Sequence, residues 1–76
     1  MEITTFLGAF ADILDDTAPE LIKAETVFRD LEEWDSLTAL SLIAMTDEEY
    51  NVKLTGDDIT SSTTLSDIFE KIKAKL

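Results

Sequence analysis

Apolar residues near the start of the chain recur every three or four positions, which is the spacing of a helix that buries one face. The members of this stripe are Ile3, Phe6, Leu7, Phe10, Ile13 and Leu14. The pattern predicts a first helix over about residues 3 to 15. Pro19 follows closely, and because proline cannot continue helical hydrogen bonding, we expect the helix to end before it.

A second helix is predicted from the middle of the chain to Tyr50. Asp35 and Ser36 are both good N-terminal caps, and no Gly or Pro interrupts the run that follows them. The positions of this helix that we expect to face inward are Ala39, Leu42, Ile43, Thr46 and Tyr50.

Two more helices are predicted towards the end of the chain. Asp57 is a candidate cap for a brief helix that extends to about Ser62. Thr64 and Asp67 have the spacing of a capping box. They precede a last apolar stripe, which consists of Leu65, Ile68, Phe69, Ile72 and Leu76. The predicted fold class is all-α: a small up-and-down four-helix bundle with a short third helix and a long first loop, as a single domain over residues 1–76.

The connection between the first two helices, residues 17 to 35, is long but not polar. Its apolar side chains, which we expect to pack onto the core, are Leu21, Ile22, Val27, Phe28, Leu31 and Trp34. A short helical turn at about residues 20 to 24 fits the pattern. Long loops in small domains are usually functional, so we expect this one to position the segment that follows it.

The composition excludes several kinds of chemistry. The chain contains no His and no Cys, so it cannot form a Ser-His or Cys-His nucleophile pair, a Cys/His zinc site or a disulfide. Carboxylates cluster at residues 47–49 and 57–58, but neither cluster has the spacing of an EF-hand loop. We therefore predict no metal site.

The charge of the chain limits its partners. Seventeen acidic residues against six basic ones give a formal net charge of -11, which repels nucleic acid and anionic membrane surfaces. The first residues lack the basic segment of a signal peptide, and no stretch approaches the roughly 20 apolar residues of a membrane span. We expect a monomeric, cytoplasmic protein whose acidic surface attracts basic partners.

Ser36 stands out because of the residues around it. A serine at the start of a helix is ordinarily a cap, but this one lies in an Asp-Ser-Leu run, residues 35–37, after the long loop. Phe28, Asp30 and Leu31 precede the run, and an amphipathic helix follows it. Together with the length and acidity of the chain, this arrangement resembles an acyl carrier protein, and the resemblance covers essentially the whole chain.

The resemblance implies a cofactor and a function. In that family the serine of the motif, here Ser36, is esterified by 4'-phosphopantetheine, which a separate Mg-dependent phosphopantetheinyl transferase takes from coenzyme A. The thiol of this arm carries acyl groups as thioesters, so the chain itself is expected not to be an enzyme. The acid before the serine, here Asp35, helps to coordinate the metal ion of the transferase. A phosphodiester on Ser36 would also lie at the positive end of the second helix, where an anion is favoured.

Two sets of residues are predicted to meet partners and cargo. Leu37, Leu40 and Ala44 fall on a different face of the second helix from the inward residues, so we expect them to contact partner enzymes with basic patches. Asp47 and Glu48 would form a charged rim beside them. The resemblance further implies that an acyl chain can enter between the helices. The residues predicted to line that pocket are Leu42, Ile43, Leu54, Ile59 and Ile68.

The cargo remains open at this point. Thr38 and Ser41 stand where the family usually has acids, and Glu32 and Trp34 stand where a Gly and a smaller residue are frequent. The alternatives are fatty-acid or related acyl-chain biosynthesis, a specialised pathway, and an aminoacyl or D-alanyl cargo; the strong acidity favours the acyl type. An unmodified acidic adaptor that binds a basic protein through the second helix is the alternative from a different class.

Overall fold

Four α-helices surround one apolar core in the structure, a computed structural model that describes residues 2–76. They are α1 (Ile3–Asp12), α2 (Ser36–Tyr50), α3 (Gly56–Thr60) and α4 (Leu65–Lys75), and the loop between α1 and α2 contains two 3-10 turns, Pro19–Leu21 and Phe28–Asp30. α1 contacts both α2 and α4, and α3 contacts α4. The predicted all-α fold, with its short third helix and long first loop, is confirmed.

The core contains the apolar face of each long helix. Phe6 and Phe10 of α1, Leu42 of α2 and Ile68 of α4 are fully buried. The ring centroids of Phe6 and Phe69 are 5.7 Å apart, a separation at which tilted aromatic pairs attract each other. Within residues 2–76, no helix has the length and apolarity needed to cross a membrane.

α1 ends at Asp12, earlier than predicted. A longer helix would use the amides of Asp15 and Asp16 to bond its own carbonyls. Both amides instead donate to the carboxylate of Glu33, the second at 2.9 Å, and the hydroxyl of Thr17 donates to the same group at 2.8 Å. A side chain from the far end of the loop therefore takes the donors that would have continued α1.

The predicted cap of α3 is wrong. The cap is Thr55, whose hydroxyl accepts from the amide of Asp58 at 3.1 Å, while the Asp58 carboxylate accepts from the Thr55 amide at 2.9 Å. Asp57 lies inside the first turn, and the helix ends at Thr60 rather than at Ser62. The reciprocal capping box wins because it satisfies two backbone donors where a single cap satisfies one.

The start of α4 is as predicted and its end is not. Thr64 and Asp67 form a capping box. Leu76, predicted as the last member of the apolar stripe, is 66% exposed because α4 ends at Lys75 and leaves it beyond the last turn.

The loop between α1 and α2 is attached to the start of α4 by its backbone. The carbonyls of Ala24 and Thr26 accept from the amides of Ser66 and Leu65 at 2.9 and 3.1 Å. These bonds use amides that a helix start would otherwise leave without partners, so they fix the loop and complete α4 at once.

Arg29 attaches the same loop to the end of α3. Its guanidinium donates to the carbonyls of Ile59 and Ser62, both at 2.7 Å, and of Thr60 at 2.9 Å. The carbonyls at a helix end have no partners within the helix, and the planar fork of an arginine can reach several of them together.

Most of the apolar side chains of the loop pack onto the core as predicted. Ile22 and Phe28 are buried, and the half-buried ones are Val27, Leu31 and Trp34. Leu21 is the exception, because the 3-10 turn that contains it holds its side chain 58% exposed.

Candidate functional site

α2 begins with a cap that leaves the neighbouring serine free for another role. The Asp35 carboxylate accepts from the amide of Thr38 at 2.8 Å and from its hydroxyl at 3.0 Å. The hydrogen bond from the Thr38 backbone amide is the main cause of the lowered pKa of Asp35. Ser36 is the first residue of the helix and is exposed. Of the two predicted caps, Asp35 therefore caps α2, and the hydroxyl of Ser36 is not needed for that purpose.

The segment before Ser36 is anchored at Glu33. The bonds from the Asp15 and Asp16 amides hold its carboxylate and are the largest causes of its lowered pKa. Its carbonyl accepts from the hydroxyl of Thr38 at 2.9 Å. The bonds of Glu33 thus join the end of α1 to the start of α2. Sequence reasoning missed this role, because only the fold brings Glu33 to the turn after α1.

Trp34 supports the same segment from inside. Its ring lies 4.8 Å from the ring of Phe28 and 6.4 Å from that of Phe10, between centroids. Aromatic pairs at these distances add to the stabilisation from burial. The chain on the N-terminal side of Ser36 is consequently fixed both by polar bonds and by packing.

The predicted partner face of α2 is exposed. Leu37 is 73% and Leu40 61% exposed, and they are two of the four large apolar side chains exposed to solvent among residues 2–76. Ala44, Asp47 and Glu48 are exposed as well.

The charged end of this face is partly compensated. Asp47 pairs with Lys53 at 3.3 Å, and both side chains are well exposed, so the pair contributes little to stability. On a helix, Asp47 lies roughly in line with Ser36 and about 16 Å along the axis from it. The face therefore extends along α2 from the serine to an acidic end.

α1 contributes to a groove next to this face. The groove has a volume of about 380 Å³, and its walls include Ala44 and Glu48 of α2, Asp12 of α1 and Ile13, which directly follows α1. The contribution of α1 to this groove was not predicted from the sequence, because it depends on how the two helices pack. The apolar floor and acidic rim of the groove continue the character of the α2 face.

The residues predicted to line an acyl pocket are part of the core. Leu42 and Ile68 are fully buried, Leu54 and Ile59 are buried, and Ile43 packs against them half-buried. An acyl chain that entered here would have to separate side chains that now touch. Among residues 2–76, no three acidic side chains are placed to hold a metal ion.

The chain matches a known protein family. The model of the family described as phosphopantetheine attachment site matches residues 4–72, so the chain belongs to that family. It is a carrier protein, its cofactor is 4'-phosphopantetheine, and domains of this family are generally carriers without catalytic activity of their own. No curated protein and no solved structure shows significant similarity to the chain.

The start of α2 fits this cofactor. Ser36 offers an exposed hydroxyl at the positive end of a helix of 15 residues, and no acidic residue lies in the first turn of that helix. Both features favour a phosphodiester at this position. The carboxylate of the preceding residue, Asp35, is held by Thr38.

Proposed function

We propose that Ser36 is the attachment residue and that the chain carries acyl groups as thioesters on its arm for fatty-acid or related acyl-chain biosynthesis. The single observation that carries the assignment is that Asp35 fills the cap, which leaves the Ser36 hydroxyl exposed and available. On attachment, the Ser36 oxygen would lose its proton and gain a bond to the phosphorus that bears the pantetheine, while the pyrophosphate bond of coenzyme A breaks and adenosine 3',5'-bisphosphate leaves. When bound, the arm supplies the thiol, which the chain lacks.

The other residues of the site have distinct proposed roles. Asp35 helps to place the metal ion of the transferase, and Leu37, Leu40, Ala44, Asp47 and Glu48 contact basic partner enzymes. Cargo is shielded by Leu42, Ile43, Leu54, Ile59 and Ile68. The chain has no catalytic role of its own, and the cytoplasmic location predicted from the sequence remains part of this proposal.

The attachment residue can be tested by intact mass. After incubation with coenzyme A and a broad-specificity phosphopantetheinyl transferase, the wild type should gain the mass of one arm and Ser36→Ala should gain none. Ser41→Ala is the matched control, because Ser41 is also an exposed serine of α2, and it should be modified like the wild type. A wild type that stays unmodified would favour the acidic adaptor instead.

The role of Asp35 can be separated from its role as a cap. Asparagine is as good a cap as aspartate, so Asp35→Asn should keep the stability of α2. Loss of the charge should lower the initial rate of arm transfer by about tenfold or more, the range found when groups that support a metal are changed. Equal rates for the variant and the wild type would limit Asp35 to a structural role.

The cargo can be assigned by competition. Modified protein offered a mixture of acyl, aminoacyl and D-alanyl donors with their transfer enzymes should accumulate the acyl thioester, as measured by mass. Preferential loading with an amine-bearing group would replace the acyl assignment while leaving Ser36 as the attachment residue.

A further inference from the structure

The first loop holds one large apolar side chain in solvent. Leu21 is 58% exposed, although most other apolar residues of the loop pack inward. Its position is fixed: Pro19 begins the 3-10 turn, the Leu21 amide donates to the carbonyl of Ala18 at 3.0 Å, and the Leu21 carbonyl accepts from the hydroxyl of Thr26 at 2.9 Å. An exposed leucine on a rigid backbone loses little further freedom when it is covered.

Leu21 forms one side of a groove on the surface of the loop. The groove has a volume of about 370 Å³, and Ala18 and Leu31 add apolar surface to it. We call this surface the Leu21 groove. It differs from the α1–α2 groove described above, since all of its residues belong to the chain between the two helices.

The rim of the Leu21 groove is acidic. Asp16, Asp30 and Glu32 line it. The ion pairs found among residues 2–76 are made by Lys53, Lys73 and Lys75 with other carboxylates, so none of them neutralises the rim. Apolar surface surrounded by uncompensated negative charge favours a partner with the opposite charge around an apolar side chain.

The groove is linked to Ser36 by a short, hydrogen-bonded stretch of chain. Leu31 and Glu32 lie shortly before Ser36 in the chain, and the amide of Trp34 donates to the carbonyl of Leu31 at 3.0 Å. The carbonyl of Glu33, the residue between Glu32 and Trp34, accepts a hydrogen bond from the hydroxyl of Thr38 in α2 at 2.9 Å. An enzyme that acts on an arm at Ser36 can therefore contact a groove whose position relative to that serine is fixed.

We propose that the Leu21 groove docks a segment of a partner enzyme in which one apolar side chain lies between arginine or lysine residues. The inference rests on the carrier function proposed above, and it adds a second contact surface beyond the exposed face of α2. The apolar side chain packs against Leu21 and Leu31, and the cations pair with the acidic rim.

A short synthetic peptide tests this proposal. The probe has one leucine between two pairs of arginines, and the control peptide has serine in place of leucine and therefore the same charge. In a titration of the ¹⁵N-labelled full chain followed by NMR, the leucine peptide should shift the amides of Asp16, Leu21, Leu31 and Glu32 saturably. The serine peptide should bind about tenfold more weakly, as expected for loss of a central apolar contact.

Variants of the chain give the matching comparison. Leu21→Ser should weaken binding of the leucine peptide about tenfold, and because this side chain is exposed the fold should persist. Leu76→Ser is the matched control, since Leu76 is 66% exposed at the end of α4, and it should bind like the wild type.

Three results would overturn the docking proposal: equal binding of both peptides, equal binding by Leu21→Ser and the wild type, or shifts confined to Leu37 and Leu40. If the amide signals of the groove residues shifted with increasing protein concentration in the absence of peptide, the groove would be assigned to a second copy of the chain, which also rejects the proposal. The mass test on Leu21→Ser separates this inference from the carrier function. If Leu21→Ser is modified at Ser36 and binds the leucine peptide as well as the wild type does, only the docking proposal is refuted. If the wild type itself stays unmodified, the carrier function is refuted.

Discussion

Glu33 determines where α1 ends and how the segment before Ser36 is held, although its neighbour Glu32 has the same side chain. The difference is positional: Glu33 meets the amides of Asp15 and Asp16, whereas Glu32 lies at the rim of the Leu21 groove. No pattern in the sequence distinguishes the two, because the contact joins segments that are distant along the chain.

The bonds of Glu33 predict a pH dependence of stability. They lower its pKa in the folded protein below the ordinary value of 4.5, chiefly through the amide of Asp15. The stabilisation is therefore complete above that ordinary value and is lost as the pH falls through the folded pKa. Glu33→Gln should unfold at a lower urea concentration than the wild type at neutral pH. The difference between their urea midpoints should become smaller in acid.

Urea denaturation at neutral pH and well below pH 4.5 measures this difference. Glu32→Gln is the matched control, and it should differ little from the wild type at either pH. If the midpoint of Glu33→Gln differed from that of the wild type by the same amount at both pH values, the carboxylate charge would not contribute to the contact of Glu33 with the Asp15 and Asp16 amides.

At the scale of the elements, α1 carries a residue that weakens it. Gly8 lies within α1 and is exposed, and a β-carbon added there would meet nothing within 4 Å. Gly8→Ala should therefore raise the free energy of unfolding by about 0.5–1 kcal/mol, through the lower backbone entropy of the unfolded chain.

The comparison for this prediction is Gly56→Ala, measured by the same urea denaturation. Gly56 also has open space around it but is the first residue of α3, where interior helix propensity applies less, so the gain should be smaller. A loss of stability in Gly8→Ala would indicate that something covers this side of α1.

The helix starts that could be predicted are those whose signal is local. Asp35 and Thr64 cap α2 and α4 as expected, since each satisfies an amide three positions ahead. The start of α3 was also readable, because Thr55 and Asp58 repeat the spacing of Thr64 and Asp67. The end of α1 was not, since it depends on a carboxylate from the end of the loop.

In the candidate site, too, features set by local sequence could be predicted and features set by the packing of distant segments could not. The exposure of Leu37 and Leu40 follows from their angular positions on α2, which the sequence contains. The Leu21 groove and the share of α1 in the α1–α2 groove follow from the packing of separate segments, so helical periodicity gave no sign of them. The sequence led us to expect Leu21 to be buried.

At the scale of the whole molecule, the charge is distributed unevenly. The six basic residues of the chain include Lys53, Lys73 and Lys75, which pair with Asp47, Glu70 and Asp58, and Arg29, which binds the end of α3. The acids that line the two grooves take no part in these pairs. The resulting negative potential at the two grooves would accelerate the approach of basic molecules, most strongly at low ionic strength.

The placement of Trp34 has a practical consequence. It is the single tryptophan of the chain, and it packs between Phe10 and Phe28 immediately before the Asp-Ser-Leu run. Its fluorescence emission therefore reports on the packing of the chain just before Ser36 against α1 and the loop. Loosening of this packing would register as a red shift of the emission without any added dye.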